Sequence, residues 1–396
     1  MQPEVPILDA QREVAPDYTG GGIANLMSSL IQGLGGSSAL PGAHVLTPEQ
    51  VAGFRTVVLL VIDGLGAEFL AARANSFLHR HTRARLTSVF PSTTASAITT
   101  YMSGLTPLEH GLTGWFTYLR EIGSVATVLP FRPRSGGPTY AQLGVEARQI
   151  FRWTPLFDRV EADSVVVSPE FIVDSDYSRA NGGRASRMGY RGLDGMLATV
   201  RDAVAGAGAR RYVYAYWPEL DSICHQHGTA SAAAEEHFRA LDHACESLCR
   251  DLRGTDTLLL VCADHGHIDT SPAHTLHLEN HPDLQAALRL PLCGEPRVAF
   301  CYVAPDAALG FERYVQEHLQ EQCRLLTRAD LLRRGWLGPG TAHPLLHTRL
   351  GDYVLLMRDD WVIRERLLGE QPPVQVGVHG GTSLAEMLVP LAVMSG

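Results

Sequence analysis

The chain has 396 residues, 45% of them hydrophobic and 19% charged, a balance that describes a globular protein and excludes a disordered or membrane-embedded chain. Its length allows one large α/β domain with insertions, or two ordinary domains. The formal net charge of -9 at pH 7, with no basic stripe to offset it, argues against a nucleic-acid polymer as partner and leaves a nucleotide open as substrate. Every basic side chain other than His is Arg, a compositional habit from which no function follows.

Glu4, Asp9, Arg12, Glu13 and Asp17 fall where a signal peptide needs an uninterrupted apolar stretch. No apolar run approaches the roughly 20 residues that span a bilayer. Seven Cys without paired CxxC spacing suit reduced thiols, so a cytoplasmic protein with no membrane partner is expected. Cys293-Gly294-Glu295-Pro296-Arg297 has its Pro one residue too late for a sulfatase cysteine motif and reads as ordinary chain.

In chain order, residues 1–50 read as an N-terminal extension packing on the core, punctuated by Gly20-Gly21-Gly22 and Gly35-Gly36. Val57 to Ile62 is a buried-strand run ending in Asp63-Gly64. Thr87-Ser88-Val89-Phe90-Pro91-Ser92-Thr93-Thr94-Ala95-Ser96-Ala97-Ile98 is hydroxyl-rich and turns helical through Met102; its hydroxyls are either helix caps or a nucleophile beside free backbone N–H groups. After the loop Ser135-Gly136-Gly137-Pro138 come strand runs at Val165 to Val167 and Tyr212 to Tyr216, the latter leading to Asp221 and His225, one helical turn apart. Phe238, Leu241, Cys245, Leu248 and Leu252 mark an amphipathic helix. Leu258 to Cys262 ends in Asp264-His265-Gly266, and further strand runs follow at Val298 to Val303 and Tyr353 to Met357. Beyond the joint Pro372-Pro373, Val376-Gly377-Val378-His379-Gly380-Gly381 and the run Leu388 to Val393 complete the chain. Strands alternating with helices predict an α/β fold with a wound, mostly parallel central sheet and helices on both faces. Residues 51–266 and 375–396 are expected to form the catalytic core, with 267–374 as an inserted smaller cap.

Several acidic or His-bearing segments fall where a buried strand ends, the edge where open α/β sheets bind ligands. Asp63, Asp221, His225, Asp264, His265 and His379 make a mixed nitrogen and oxygen donor set that suits zinc, with manganese or iron as alternatives, better than calcium or magnesium. Six donors exceed the three that a tetrahedral catalytic zinc takes, so two divalent ions are expected.

These segments, in this order, resemble the alkaline phosphatase superfamily, and within it the type I phosphodiesterase and nucleotide pyrophosphatase family. The resemblance is carried by Val61-Ile62-Asp63-Gly64; by Phe90-Pro91-Ser92-Thr93-Thr94 with Ser103-Gly104-Leu105-Thr106-Pro107 and Glu109-His110-Gly111; by Asp221 with His225; by Asp264-His265-Gly266; and by His379-Gly380-Gly381. It implies an alkaline phosphatase-like fold, one ion on Asp63, Thr94, Asp264 and His265, and another on Asp221, His225 and His379. The distance to Gly104 in the family pattern selects Thr94 as nucleophile over Thr93. The implied substrate is a small phosphoester, possibly a nucleotide, hydrolysed at a phosphodiester or pyrophosphate bond through a phospho-threonine. A phosphomonoesterase, a phosphonate hydrolase, a phosphosugar mutase and a noncatalytic phosphate-binding module are the alternatives; the oligomeric state is left open.

One departure stands out. The resemblance implies an Asn three residues after the nucleophile to steady a phosphate oxygen in diesterases, and Ala97 stands there. His110, His227, His267, His274, His277 and His281 are read as structural groups or as partners that orient ligands. Trp115, Phe116, Tyr118 and Tyr177 are read as core packing, with stacking on a base or aromatic leaving group as the alternative, and Arg132, Arg134, Arg152 and Arg179 are the basic residues considered for phosphate recognition.

Overall fold

The computed structural model describes residues 13–206, 210–370 and 374–396. Glu4, Asp9, Arg12 and the Pro372-Pro373 joint lie outside the described residues. Seven strands form the main sheet: β1 (Thr56–Ile62), β2 (Thr82–Thr87), β3 (Asp163–Pro169), β4 (Ser186–Tyr190), β5 (Arg211–Trp217), β6 (Thr257–Cys262) and β7 (Leu388–Ser395). Their spatial order is β2-β7-β6-β1-β5-β3-β4. The central β6, β1, β5, β3 and β4 are parallel, whereas β7 runs antiparallel to both its neighbours. β1 is Thr-Val-Val-Leu-Leu-Val-Ile and buried at every position, as a central parallel strand covered on both faces must be.

Helices flank this sheet. The sequence-predicted amphipathic helix is Ala232–Asp251, with Phe238, Leu241, Cys245 and Leu248 on its buried face and the Ser231 side chain capping its first turn. Near the start of the described chain, helix Ile23–Gly33 sends Leu26, Met27, Leu30 and Ile31 into the main core.

A second seven-stranded sheet is antiparallel throughout and takes its strands from two stretches of chain, in the order Cys323–Thr327, Tyr353–Met357, Val298–Cys301, Cys293–Glu295, Phe116–Leu119, Ser124–Thr127 and Arg132–Pro133. The join between the stretches is Gly294 opposite Phe116. All seven apolar runs read as strands form strands; those at 298 and 353 belong to this second sheet. The seven Cys form no disulfide, and no helix among the described residues is long and apolar enough to cross a membrane.

Candidate metal centre

Parallel strands β1, β5 and β6 deliver their C-terminal ends side by side, with Ile62 opposite Trp217 and Val61 opposite Cys262. Asp63 follows β1 directly. Its Oδ2 accepts from the Tyr216 hydroxyl, while Oδ1 is buried with no hydrogen-bond partner. Asp264, two residues past β6, is arranged the same way: Oδ1 accepts from the Gly64 and His265 backbone N–H groups at 3.1 and 3.0 Å, and Oδ2 is a second buried orphan. Both free oxygens approach His265 Nε2, at 3.3 and 3.5 Å. The Thr94 hydroxyl lies 3.1 Å from the same nitrogen, at the first residue of helix Thr94–Ser103. Thr93, its neighbour, is turned away and donates to Glu295 at 2.5 Å.

The second cluster adjoins the first, the His265 and His379 rings being stacked at 3.7 Å between centroids. Helix Glu219–His227, which starts just past β5, places Asp221 and His225 one turn apart, with Asp221 Oδ1 3.2 Å from His225 Nε2. His379 Nε2 is 3.8 Å from that oxygen. His267 Nε2 is nearer still, at 2.9 Å.

Each of the four imidazoles faces a backbone carbonyl through Nδ1: His225 to Gly377 at 2.7 Å, His265 to Gly266 at 3.1 Å, His267 to Gly64 at 3.3 Å and His379 to Ser92 at 3.2 Å. A carbonyl only accepts, so Nδ1 carries the proton and Nε2 presents a lone pair to the cluster, the arrangement that orients metal-ligating histidines. Burial holds His225, His265 and His379 below their ordinary imidazole range, which keeps those lone pairs free. Burial also pushes Asp63 well above the usual carboxylate range, with Asp264 and Asp221 adding to the shift. Burial acts the same way on Asp221, but His225, His267 and His379 outweigh it and hold that carboxyl below its usual range. Burial also acts on His267, but Asp221 outweighs it and raises that ring above its ordinary range. Carboxylate oxygens converging on ring nitrogens are the donor set of a cation, and two groups could hold one: Asp63, Asp264 and His265, with two orphaned oxygens, and Asp221, His225, His267 and His379.

Thr94, Asp221, His225 and His379 open on a cavity of about 560 Å³. Trp115 and Phe116 line it, whereas Tyr118 packs on Tyr302 and the Tyr177 hydroxyl bonds Thr99 inside the core. Arg134 also lines the cavity but is held by Glu365, Glu370 and the Leu292 carbonyl. Sequence reasoning missed two further wall residues, Glu295 and Arg364. Glu295 Oε1 accepts from both Thr93 and the Trp115 N–H, and burial raises the carboxyl to about 7. Arg364 donates to Gln375 at 3.1 Å and forms no ion pair with a carboxylate among the described residues.

Ala97 is fully buried in the main hydrophobic core and does not line the cavity, so the position expected to hold an Asn offers no polar group to a phosphate. Of the six histidines set aside, His267 adjoins the second cluster, its Nε2 2.9 Å from Asp221 Oδ1 as a ligand-orienting partner's would be, whereas His110 is buried against Thr100 and the Leu112 N–H and His274 pairs with Asp360. Its signal was positional: two residues past His265, it reaches the same strand edge.

The family model for type I phosphodiesterase / nucleotide pyrophosphatase matches residues 57–382. The chain belongs to this family. Its members are phosphoester-hydrolysing enzymes, and its fold recurs in solved structures. Murine ectonucleotide pyrophosphatase / phosphodiesterase 5 superimposes with a TM-score of 0.65 at 15% identity, covering 85% of this chain and 87% of that one; it is also solved as an inactive threonine-to-alanine variant in complex with AMP. Phosphonoacetate hydrolase from Sinorhizobium meliloti 1021, in complex with phosphonoacetate, gives a TM-score of 0.60 at 16% identity over 86% of this chain and 90% of that one. Comparison with curated protein sequences yields no match.

Proposed function

We propose that this chain is a two-metal hydrolase of phosphodiester or nucleotide pyrophosphate bonds that works through a phospho-threonine on Thr94. The observation that carries the reading is the pair of orphaned oxygens, Asp63 Oδ1 and Asp264 Oδ2, gathered with the Thr94 hydroxyl around His265 Nε2. Asp63, Thr94, Asp264 and His265 would hold one divalent ion, and Asp221, His225 and His379 the other; zinc suits the donors best, with manganese or iron as alternatives. When bound, such ions supply Lewis acidity, lowering the pKa of a hydroxyl and neutralising charge on phosphoryl oxygens.

Thr94 Oγ1 gives up its proton to solvent and attacks phosphorus, forming the P–O bond as the bond to the leaving oxygen breaks and that oxygen takes a proton from solvent. Water then attacks the phospho-threonine, the bond to Thr94 breaks, and the hydroxyl is restored. The Thr93 hydroxyl is spent on Glu295 and makes no capping hydrogen bond to the helix, so the free N–H groups of the first turn are available to non-bridging phosphate oxygens. Trp115 and Phe116 offer apolar wall to the organic part of the substrate. The inactivity of the murine relative's threonine-to-alanine variant, and its AMP complex, support both the nucleophile and the substrate class.

A second reading, phosphonate hydrolysis, is favoured by Arg364: a cavity-lining cation with no carboxylate partner among the described residues suits a substrate with a second anionic group, as phosphonoacetate is in the bacterial neighbour. Turnover of zinc-loaded protein on a nucleoside nitrophenyl phosphodiester, a nitrophenyl phosphomonoester and phosphonoacetate separates the readings, with the diester expected to be preferred. Thr94→Ala is expected to lower kcat by about 10³-fold or more with metal content retained; full turnover in that variant would sink the mechanism.

A further inference from the structure

Asp221 Oδ1 is approached by three ring nitrogens at once, His267 at 2.9 Å, His225 at 3.2 Å and His379 at 3.8 Å. We propose that His267 is a fourth protein ligand of the ion held by Asp221, His225 and His379, making that site three imidazoles and one carboxylate. The inference rests on the two-metal reading above and adds a donor to it.

The three rings present the same face to the oxygen. Each has Nδ1 committed to a backbone carbonyl, for His267 that of Gly64, so three Nε2 lone pairs converge on one carboxylate oxygen. A proton placed between His267 and Asp221 would satisfy one of these contacts; a divalent ion satisfies all of them. The separations agree. A nitrogen 2.9 to 3.8 Å from the Asp221 oxygen, both about 2.1 Å from a shared ion, subtends an angle of about 90° to about 130° with that oxygen. The His267 ring also packs edge-on against its companions, 5.2 Å from His225 and 5.3 Å from His379 between centroids.

The backbone is shaped around this ring. Gly64 has φ +75°, and a Cβ there would fall 2.3 Å from His267 Cε1, so the turn after β1 leaves room for the imidazole. Immediately after His267, Ile268 pairs with Val378, which holds His267 and His379 across from each other. The side chain is 1% exposed, too enclosed for a surface role. The two sites therefore differ in character: one has two carboxylates, a hydroxyl and one imidazole, the other a single carboxylate and three imidazoles. Four protein donors fill a tetrahedron, so the second site suits an ion that accepts a fifth or sixth ligand when substrate enters.

Equilibrium dialysis of the full chain with Co²⁺, with the visible spectrum recorded at each equivalent, tests the assignment. Wild type is expected to bind two equivalents; binding none would overturn the two-metal reading itself. His267→Ala is expected to keep the ion at Asp63, Asp264 and His265, to bind the second at least about 100-fold more weakly, and to change that ion's ligand-field bands. An unchanged cobalt spectrum, whatever happens to affinity, would make His267 a hydrogen-bonding partner of Asp221 and overturn the proposal. If His267→Ala does not fold, X-ray absorption on the two-cobalt wild type decides: scattering from four histidines over the two ions supports the assignment, and from three refutes it.

Discussion

Glu295 is a carboxyl placed where ionisation is costly. It has no cationic partner among the described residues, spends one oxygen on Thr93 and Trp115, and is raised by burial to about 7. A folded-state value above the unfolded one contributes stability that is complete below the unfolded pKa and is lost as pH rises through the folded one. Metal-free protein is therefore expected to lose stability between about pH 4.5 and about pH 7 from this residue. Glu295→Gln, whose amide oxygen still accepts both hydrogen bonds, is expected to flatten that slope by up to about 3 kcal/mol, read as the difference between urea melts of the two proteins across pH; parallel slopes would refute it. Legibility at this scale followed backbone geometry. Asp63, Asp264 and His265 could be read because a buried strand running into an acidic tip is visible as a string of letters. Glu295 and Arg364 could not, because neither follows a buried strand of the main sheet, and nothing in their local pattern announces which way they face.

The segment holding His379 is anchored by one ion pair. Arg297, 2% exposed, forms a two-pronged bond with the fully buried Glu386 at 3.1 Å on each arm, and Glu386 also accepts from the Gly381 N–H and the Ser383 hydroxyl. Arg297→Ala would leave that carboxylate charged, buried and without its cation, at a cost of about 3 to 5 kcal/mol in denaturant unfolding. Because Gly381 is two residues from His379, the variant is also expected to bind metal more weakly than its stability loss alone accounts for; unchanged affinity in the folded fraction would show that the pair acts on stability only. Elements were legible where periodicity was strong, as in the helix Ala232–Asp251 and the buried β1. The pairing of Phe116–Leu119 with Cys293–Glu295 was not, since a meeting between residues so distant in sequence leaves no local trace.

At the level of the molecule, three carboxylates and four imidazoles meet where β1, β5 and β6 end, and burial, with Asp264 and Asp221 adding to it, makes Asp63 costly to ionise without a cation. Chelation is expected to lower the thermal midpoint, and saturating Zn²⁺ at about 100 times its dissociation constant to restore about 2.7 kcal/mol per site. A melt insensitive to both would refute metal binding by the native state. The wound parallel sheet was legible from the alternation of strands and helices, whereas the second sheet drawing on two stretches was not.

β7 lies inside the main sheet, between β2 and β6, although it is the last strand described. Until Leu388–Ser395 emerges from the ribosome, β2 has no partner in the main sheet, and the edge of β6 that carries Asp264 and His265 stays open. Synthesis thus exposes an apolar β6 edge until that strand is made.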